Sequence, residues 1–320
     1  MFKLYKAFVV SHLEHANVIW FPCPKRRSVA IEQLQRSASK FVKEVHNLDN
    51  CECVQALKLS SSKSGRLTGD LFQTCKVTAF FSVSHPCIMS ETGTVTSKVM
   101  STDEWVQRWD ERAIGFHKDT IHPLLEKHLL VMVNGKTNIR IFFPLCGKAL
   151  DMKWLADQGH TVIGVEAAQK AVEEFFEEQK VPFTTQSVPA INGKLFQSED
   201  KKLNIYCCDF YNFSKDIAGQ VDGIWDRGAL VAINNEDREK YATILKGLMA
   251  PGCRYLLSAL QYDETKYAGP PHHLSDDAVQ QLYGDKYSIE MIDDVDALES
   301  RHSQWGIDWL REKVFLITPK

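Results

Sequence analysis

Between Asn138 and Thr318, short apolar runs alternate with amphipathic ones, and that alternation leaves few folds open to the chain. Asn138-Ile-Arg-Ile-Phe-Phe143, Thr161-Val-Ile-Gly-Val165, Leu203-Asn-Ile-Tyr-Cys207, Val221-Asp-Gly-Ile-Trp225, Arg254-Tyr-Leu-Leu-Ser258 and Val314-Phe-Leu-Ile-Thr318 read as strands. Helices are expected between them over 149–158, closed by Gly159, and over 170–179 and 238–248, with a further one over 123–131. Upstream, Thr102-Asp103-Glu104 supplies capping residues and early acids for a helix that carries Trp105 and Trp109 on one face. Strand–helix alternation of this kind predicts an α/β fold, a doubly wound and mostly parallel sheet.

The first hundred residues do not share this pattern. They carry 13 Lys and Arg against 7 Asp and Glu, a net of +6, while the remaining 220 residues carry 25 against 34, a net of −9. Such a shift marks two segments of different task. Leu4, Phe8 and Leu13, then Ile31, Leu34, Ala38, Phe41 and Val45, lie near a helical period, with Pro22 and Pro24 between the two groups. Residues 82–98 are rich in Ser and Thr without a sustained period. The expected organisation is therefore a basic helical appendage over 1–80, a linker over 81–100 and one large domain over 101–320. The total charge of −3 speaks against a dedicated nucleic-acid binder. No apolar run approaches the ~18 residues of a membrane helix, and residues 1–10 are too short and interrupted for a signal peptide. Nine cysteines without C-x-x-C spacing read as reduced thiols, so a cytoplasmic setting is expected; a monomer is expected as well.

Chemistry concentrates where strands end. The first strand runs into Pro144-Leu-Cys-Gly-Lys148, and the second ends on Glu166, 19 positions after Gly147. An acid about 20 residues past such a loop is placed to accept ribose hydroxyls, because a carboxylate takes two at once. The other reading of Glu166 is a helix-start acid on a solvated turn. The loop has a single glycine rather than G-x-G-x-x-G, so it serves a pyrophosphate poorly and a nucleoside without phosphate better. The third strand runs into Asp209 and Phe210, an acceptor for an adenine amine and a ring to pack on it, or else a turn aspartate and a core phenylalanine. The fourth ends in Asp226-Arg227: a structural ion pair, or a guanidinium fork aimed at a planar or anionic substrate with Asp226 steadying it. His117, His122, His272 and His273 lack metal-ligand spacing, so no metal is expected, and Asp293, Asp294 and Asp296 read as a solvated acidic turn.

Taken together, Phe142-Phe-Pro-Leu-Cys-Gly-Lys148, Met152-Lys-Trp154, Val162-Ile-Gly-Val-Glu166, Trp225-Asp-Arg-Gly-Ala-Leu-Val-Ala-Ile233, Gly269-Pro-Pro271 and Arg301-His-Ser-Gln-Trp-Gly-Ile-Asp308 resemble the thiopurine S-methyltransferase family over residues 101–320. The resemblance implies the class I S-adenosylmethionine-dependent methyltransferase fold. It implies S-adenosyl-L-methionine as cofactor and an aromatic or heterocyclic thiol as the small-molecule partner. It places Trp105, Trp109, Leu145, Gly147, Glu166, Asp209, Phe210 and Arg227 around the cofactor, Phe116 on the substrate as a lid residue, and Arg227 and Arg301 as the catalytic, substrate-side arginines. With no His or Lys in the crevice-end motifs of the third and fourth strands, transfer is expected to proceed without a strong enzyme base; His117 is the candidate should one be needed. Separately, Leu4-Tyr-Lys-Ala-Phe-Val-Val-Ser-His-Leu-Glu14, Trp20, Ala30-Ile-Glu-Gln-Leu-Gln-Arg36 and Arg66-Leu-Thr-Gly-Asp70 resemble the C-terminal end of a non-LTR retrotransposon reverse transcriptase, without its Y-x-D-D pair. Two other functions compete: a NAD-dependent oxidoreductase, disfavoured by the glycine count, and a non-enzymatic ligand- or nucleic-acid-binding fusion protein.

Overall fold

Residues 98–320 are described by a computed structural model of the chain. The expected appendage over 1–80, its reverse-transcriptase resemblance and nearly all of the expected linker lie outside the described residues.

Ser101 opens α1 (Thr102–Asp110) through a capping box: its hydroxyl accepts the Glu104 N–H and the Glu104 carboxylate accepts the Ser101 N–H. Helix α2 (Pro123–Val133) starts with proline in its first turn, where a missing N–H costs nothing, and stops at Asn134 in the left-handed conformation. The alternating region follows as β1 (Arg140–Phe143), α3 (Leu150–Asp157), β2 (Thr161–Glu166), α4 (Gln169–Glu178), β3 (Phe183–Val188), β4 (Gly193–Ser198), β5 (Leu203–Cys207), α5 (Lys215–Ala218), β6 (Val221–Arg227), α6 (Arg238–Leu248), β7 (Met249–Gln261), α7 (Asp276–Tyr283), β8 (Tyr287–Asp296) and β9 (Arg311–Pro319).

The strands form one nine-stranded sheet in the order β3-β4-β5-β2-β1-β6-β7-β9-β8. The middle strands β5, β2, β1, β6 and β7 are parallel. The pairs β3–β4, β4–β5, β7–β9 and β9–β8 are antiparallel. The parallel strands need both faces covered, which is why their sequences are near-continuous apolar runs. On one face, Ile141, Phe143, Trp225, Leu256 and Val314 meet Leu125 and Met132 of α2, Leu155 of α3 and Phe175 of α4. On the other, Phe142, Ile224, Tyr255, Leu257 and Phe315 meet Tyr241 and Leu245 of α6 and Tyr283 of α7. Fully burying each such large side chain is worth about 1.5–3 kcal/mol, so the two layers hold the sheet from both sides. Chain order reverses between β1 and β6, and ligands bind outside the carboxyl ends of strands at such a switch point.

The expected acidic turn at 293–296 is instead part of β8. Asp293 is nearly buried there and bonds Lys127 (2.6 Å) and His128 (2.7 Å) of α2, while Asp294 bonds Arg311 of β9 (2.8 Å). Strong acidity masked the strand, because Lys127, His128 and Arg311 are far from it in sequence.

Candidate functional site

Glu166 closes β2, two strands from Arg227 at the end of β6, with β1 and its loop between them. At about 4.8 Å per strand, these two groups stand roughly 10 Å apart across the switch point. The Glu166 carboxylate is buried and fixed: Oε2 accepts the Gly147 N–H (2.9 Å) and Oε1 the Ala168 N–H (2.8 Å). Burial pushes its carboxyl above the usual range, and the N–H groups of Ala168, Gly147 and Ala167 pull it back. Each oxygen keeps a lone pair for a hydroxyl.

The β1–α3 loop reaches Glu166 through unusual backbone. Leu145 has φ +43° and Gly147 φ +50°. A Cβ on residue 147 would lie 2.9 Å from Cζ2 of Trp109, so glycine lets the buried indole close down on the loop. Trp109 and Trp105 both meet the Phe116 ring edge-on, with centroids 5.6 and 5.8 Å away. Asp209 caps a short turn by accepting the Tyr211 N–H (2.9 Å) and remains partly exposed. Phe210 is buried and stacks on Tyr241 at 4.8 Å, so its ring packs in the core.

The arginines converge on one segment. Arg227 Nη1 donates to the Phe116 carbonyl (3.0 Å), and Arg301 Nη1 donates to the Gly115 carbonyl (3.1 Å). Lys118 and Arg301 both pair with Glu299, so residues 115–118 are stitched down from three directions. Arg227 spends one of its five N–H donors on protein, the Phe116 contact, and the rest remain for a ligand. Burial lowers its pKa, the charges of Glu312 and Asp151 raise it, and Arg301 lowers it.

Asp226 does not steady Arg227. Adjacent strand residues point to opposite faces. Asp226 is fully buried on the α6 side, where it accepts from Tyr241 Oη (2.6 Å), Tyr255 Oη (2.7 Å) and the Leu230 N–H (3.0 Å). Arg227 shares the α2 side with Ser258, its register partner on β7, and with Glu312 of β9. Ser258 Oγ donates to Glu312 Oε1 (2.5 Å), and His122 Nε2 lies 3.3 Å from the same oxygen. The His122 backbone N–H bonds Asp151 of α3 (2.7 Å).

The end motifs of β5 and β6 contain no His or Lys, but space supplies both. Lys148 is held by Glu174 (2.9 Å) and Glu178 (2.6 Å). His117 lies 6.4 Å from Trp109 between ring centroids, and its pKa is lowered by burial and by Lys148. His122 is pushed down by burial, raised by Glu312 and lowered by Arg227. Ser258, Glu312, His122 and Asp151 were missed as site residues. Period-2 alternation from Trp225 would have put Asp226 on the wrong face and Arg227 on the right one, but Glu312 lay just before the apolar run that marked β9.

Comparison with known proteins follows the same boundaries. The profile of the family described as Thiopurine S-methyltransferase (TPMT) matches residues 100–320. A probable thiopurine S-methyltransferase of Danio rerio is 48% identical over 224 residues, covering 70% of this chain and 97% of the relative. The thiopurine S-methyltransferase of Rattus norvegicus is 44% identical over 225 residues, covering 70% and 94%. Among solved structures, a 1,6-didemethyltoxoflavin-N1-methyltransferase of Burkholderia thailandensis aligns at 12% identity with a TM-score of 0.49, covering 70% of this chain and 94% of that one.

Proposed function

Because the chain belongs to the thiopurine S-methyltransferase family, we propose that it transfers the methyl group of S-adenosyl-L-methionine to the sulfur of an aromatic or heterocyclic thiol. The observation that carries the acceptor half is Arg227, a largely buried guanidinium with one of its N–H donors used on protein. Such a group calls for an anionic or acceptor-rich ligand.

The residues present fit the cofactor. A fixed, buried carboxylate suits ribose hydroxyls, a loop with one close-approach glycine suits a nucleoside without phosphate, and Asp209 leaves part of its carboxylate exposed for an amine. When bound, S-adenosylmethionine supplies an activated methyl on a sulfonium. Glu166 would hold the ribose, Leu145 and Gly147 the adjoining backbone, and Trp105 and Trp109 the flank of the site. Phe210, packed on Tyr241, would back the adenine end from the core.

Arg227 and Arg301 hold the negative charge of the thiolate, and Phe116, between the two tryptophans and Arg227, walls off the acceptor ring. A guanidinium stays protonated at working pH, so both arginines favour the ionised sulfur without acting as bases. Alignment of a ready nucleophile supplies most of what an in-line displacement needs. For residues 1–100 we propose an appendage and linker with no part in transfer, the first 80 a remnant of reverse-transcriptase origin. Among the described residues all four cysteines are free and no helix is long and apolar enough to cross a membrane. Those thiols support a cytoplasmic setting, and a monomer suits a site built from one chain.

The test is calorimetry with S-adenosylhomocysteine and with NAD, followed by labelled methyl transfer to a panel of thiols. Binding of NAD alone, or absence of transfer to every thiol, would overturn the reading.

A further inference from the structure

Beside the donors of Arg227 the same crevice wall holds an acceptor. Arg227, Ser258 and Glu312 share one face of the sheet at the carboxyl ends of the parallel strands, because β9 runs antiparallel and begins where β7 ends. The Glu312 side chain is 14% exposed. Its Oε1 takes the Ser258 hydroxyl and lies 3.3 Å from His122 Nε2, while Oε2 takes no hydrogen bond from the described residues. Ser258, between Arg227 and Glu312 on β7, is the register partner of the first and the hydrogen-bond donor to the second.

We propose that Glu312 is a specificity-determining residue that accepts the ring N–H of a cyclic thioamide, an N–H donor next to a sulfur acceptor, while Arg227 donates to the sulfur. This rests on the methyl-transfer reading above and narrows its substrate class. A simple aryl thiol offers sulfur alone; a heterocycle in its thione form offers sulfur and N–H side by side, complementary to a guanidinium beside a carboxylate.

The pairing also gives the proton a destination. Methylation of a thione at sulfur costs the ring its N–H proton. The S–C bond forms with an electron pair from the thione. The N–H bond breaks with its pair kept by the ring, and the proton passes to Glu312. The pair of the cofactor's S–CH3 bond leaves with S-adenosylhomocysteine. Ser258 and His122 hold the accepting carboxylate, and Arg227, Asp151 and Lys118 are the other charges around that histidine. The expectation that no strong base is needed stands for thiols that ionise unaided; for thiones, a carboxylate is in place.

The experiment uses the full chain and two probes, pyridine-2-thione, which carries the N–H, and 4-nitrothiophenol, which does not. Glu312→Gln keeps the shape and removes the acceptor charge. It should lower kcat/KM for the thione at least about tenfold more than for the thiophenol and leave S-adenosylhomocysteine affinity within about twofold; Glu312→Asp should restore part of the thione rate. Equal losses on both probes, or none on the thione, overturn the proposal. A second measurement needs no variant: on the wild-type protein N-methylpyridine-2-thione, which cannot donate, should compete at least tenfold less well than pyridine-2-thione, and equal competition overturns the proposal. If the wild-type protein methylates neither probe, the methyl-transfer reading itself fails; if it methylates both and Glu312→Gln does not discriminate, only this inference fails.

Discussion

Replacing Glu166 perturbs the cofactor and the fold by amounts that can be separated. Its carboxylate is the buried acceptor for the Gly147 and Ala168 N–H groups, and we propose it as the acceptor for the ribose hydroxyls. Glu166→Ala removes a charge-assisted acceptor worth about 1.5–3 kcal/mol to the ligand. That corresponds to a roughly ten- to hundredfold weaker affinity for S-adenosylhomocysteine. It also leaves two backbone donors buried without partners, at about 1–3 kcal/mol each unless water enters. For a domain of this size, roughly 2–4 °C is lost per kcal/mol, so Tm should fall by about 5–20 °C. Glu166→Gln keeps one carbonyl oxygen for one N–H and sets an amide donor against the other, so it should sit between wild type and alanine in both quantities. Calorimetric titration well below Tm reads the first effect, and thermal melting without ligand reads the second. A folded Glu166→Ala protein that binds S-adenosylhomocysteine within twofold of wild type would refute the ribose assignment.

The double replacement Arg227→Met with Arg301→Met should lower kcat/KM for thiols by more than either single change, with S-adenosylhomocysteine affinity nearly intact by calorimetry. Asp226→Asn keeps one carbonyl acceptor for Tyr241 and Tyr255 but sets an amide donor where the Leu230 N–H was accepted, and should cost about 1–3 kcal/mol in urea unfolding. Burial raises the Asp226 carboxyl pKa, so the folded chain holds that proton more tightly than the unfolded one. Its contribution to stability therefore falls as pH rises from the unfolded value near 3.8 through the higher folded value, and the Asn variant should lose that slope. A fragment of residues 101–320 should melt within a few degrees of the full chain and transfer methyl groups at the same rate; failure to fold would show that the first hundred residues are needed.

The parallel centre of the sheet was legible because burial on both faces writes itself as apolar runs: β1, β2, β5 and β6 lie within a few residues of where the pattern put them. Of the antiparallel strands, β9 was legible from its apolar run at 314–318, while β3, β4 and β8 were not. In β3, one edge of the sheet, Phe183-Thr-Thr-Gln-Ser-Val188 shows its interior residues to solvent, and β8, the other edge, is polar for the same reason; β4 between β3 and β5 is short and mixed in character. Edge strands carry charge and polarity to avoid pairing with other chains, which erases the signal that identifies them. The site divides in the same way. Glu166 and Gly147 were readable from one βαβ spacing, since 19 residues of local chain fix their meeting. The neighbours of Arg227 come from the segment before α2 and from α3, β7 and β9, 85 positions away in the case of Glu312 and 111 in that of Phe116, and no local spacing encodes a register between distant strands.

That register constrains how the domain can be assembled during synthesis. Strand β9 is made after β8 yet lies inside it, between β7 and β8. Until Arg311–Pro319 has emerged from the ribosome, β7 has an open flank and β8 has no neighbour to pair with. Folding of the acceptor half therefore has to wait for β9. A chain interrupted just before Arg311 would lose more than nine residues: it would shed β8 from the sheet, expose Leu256 and Leu257 along a bare edge, and present quality-control machinery with a nascent chain whose nucleoside end could form but whose thiol end could not.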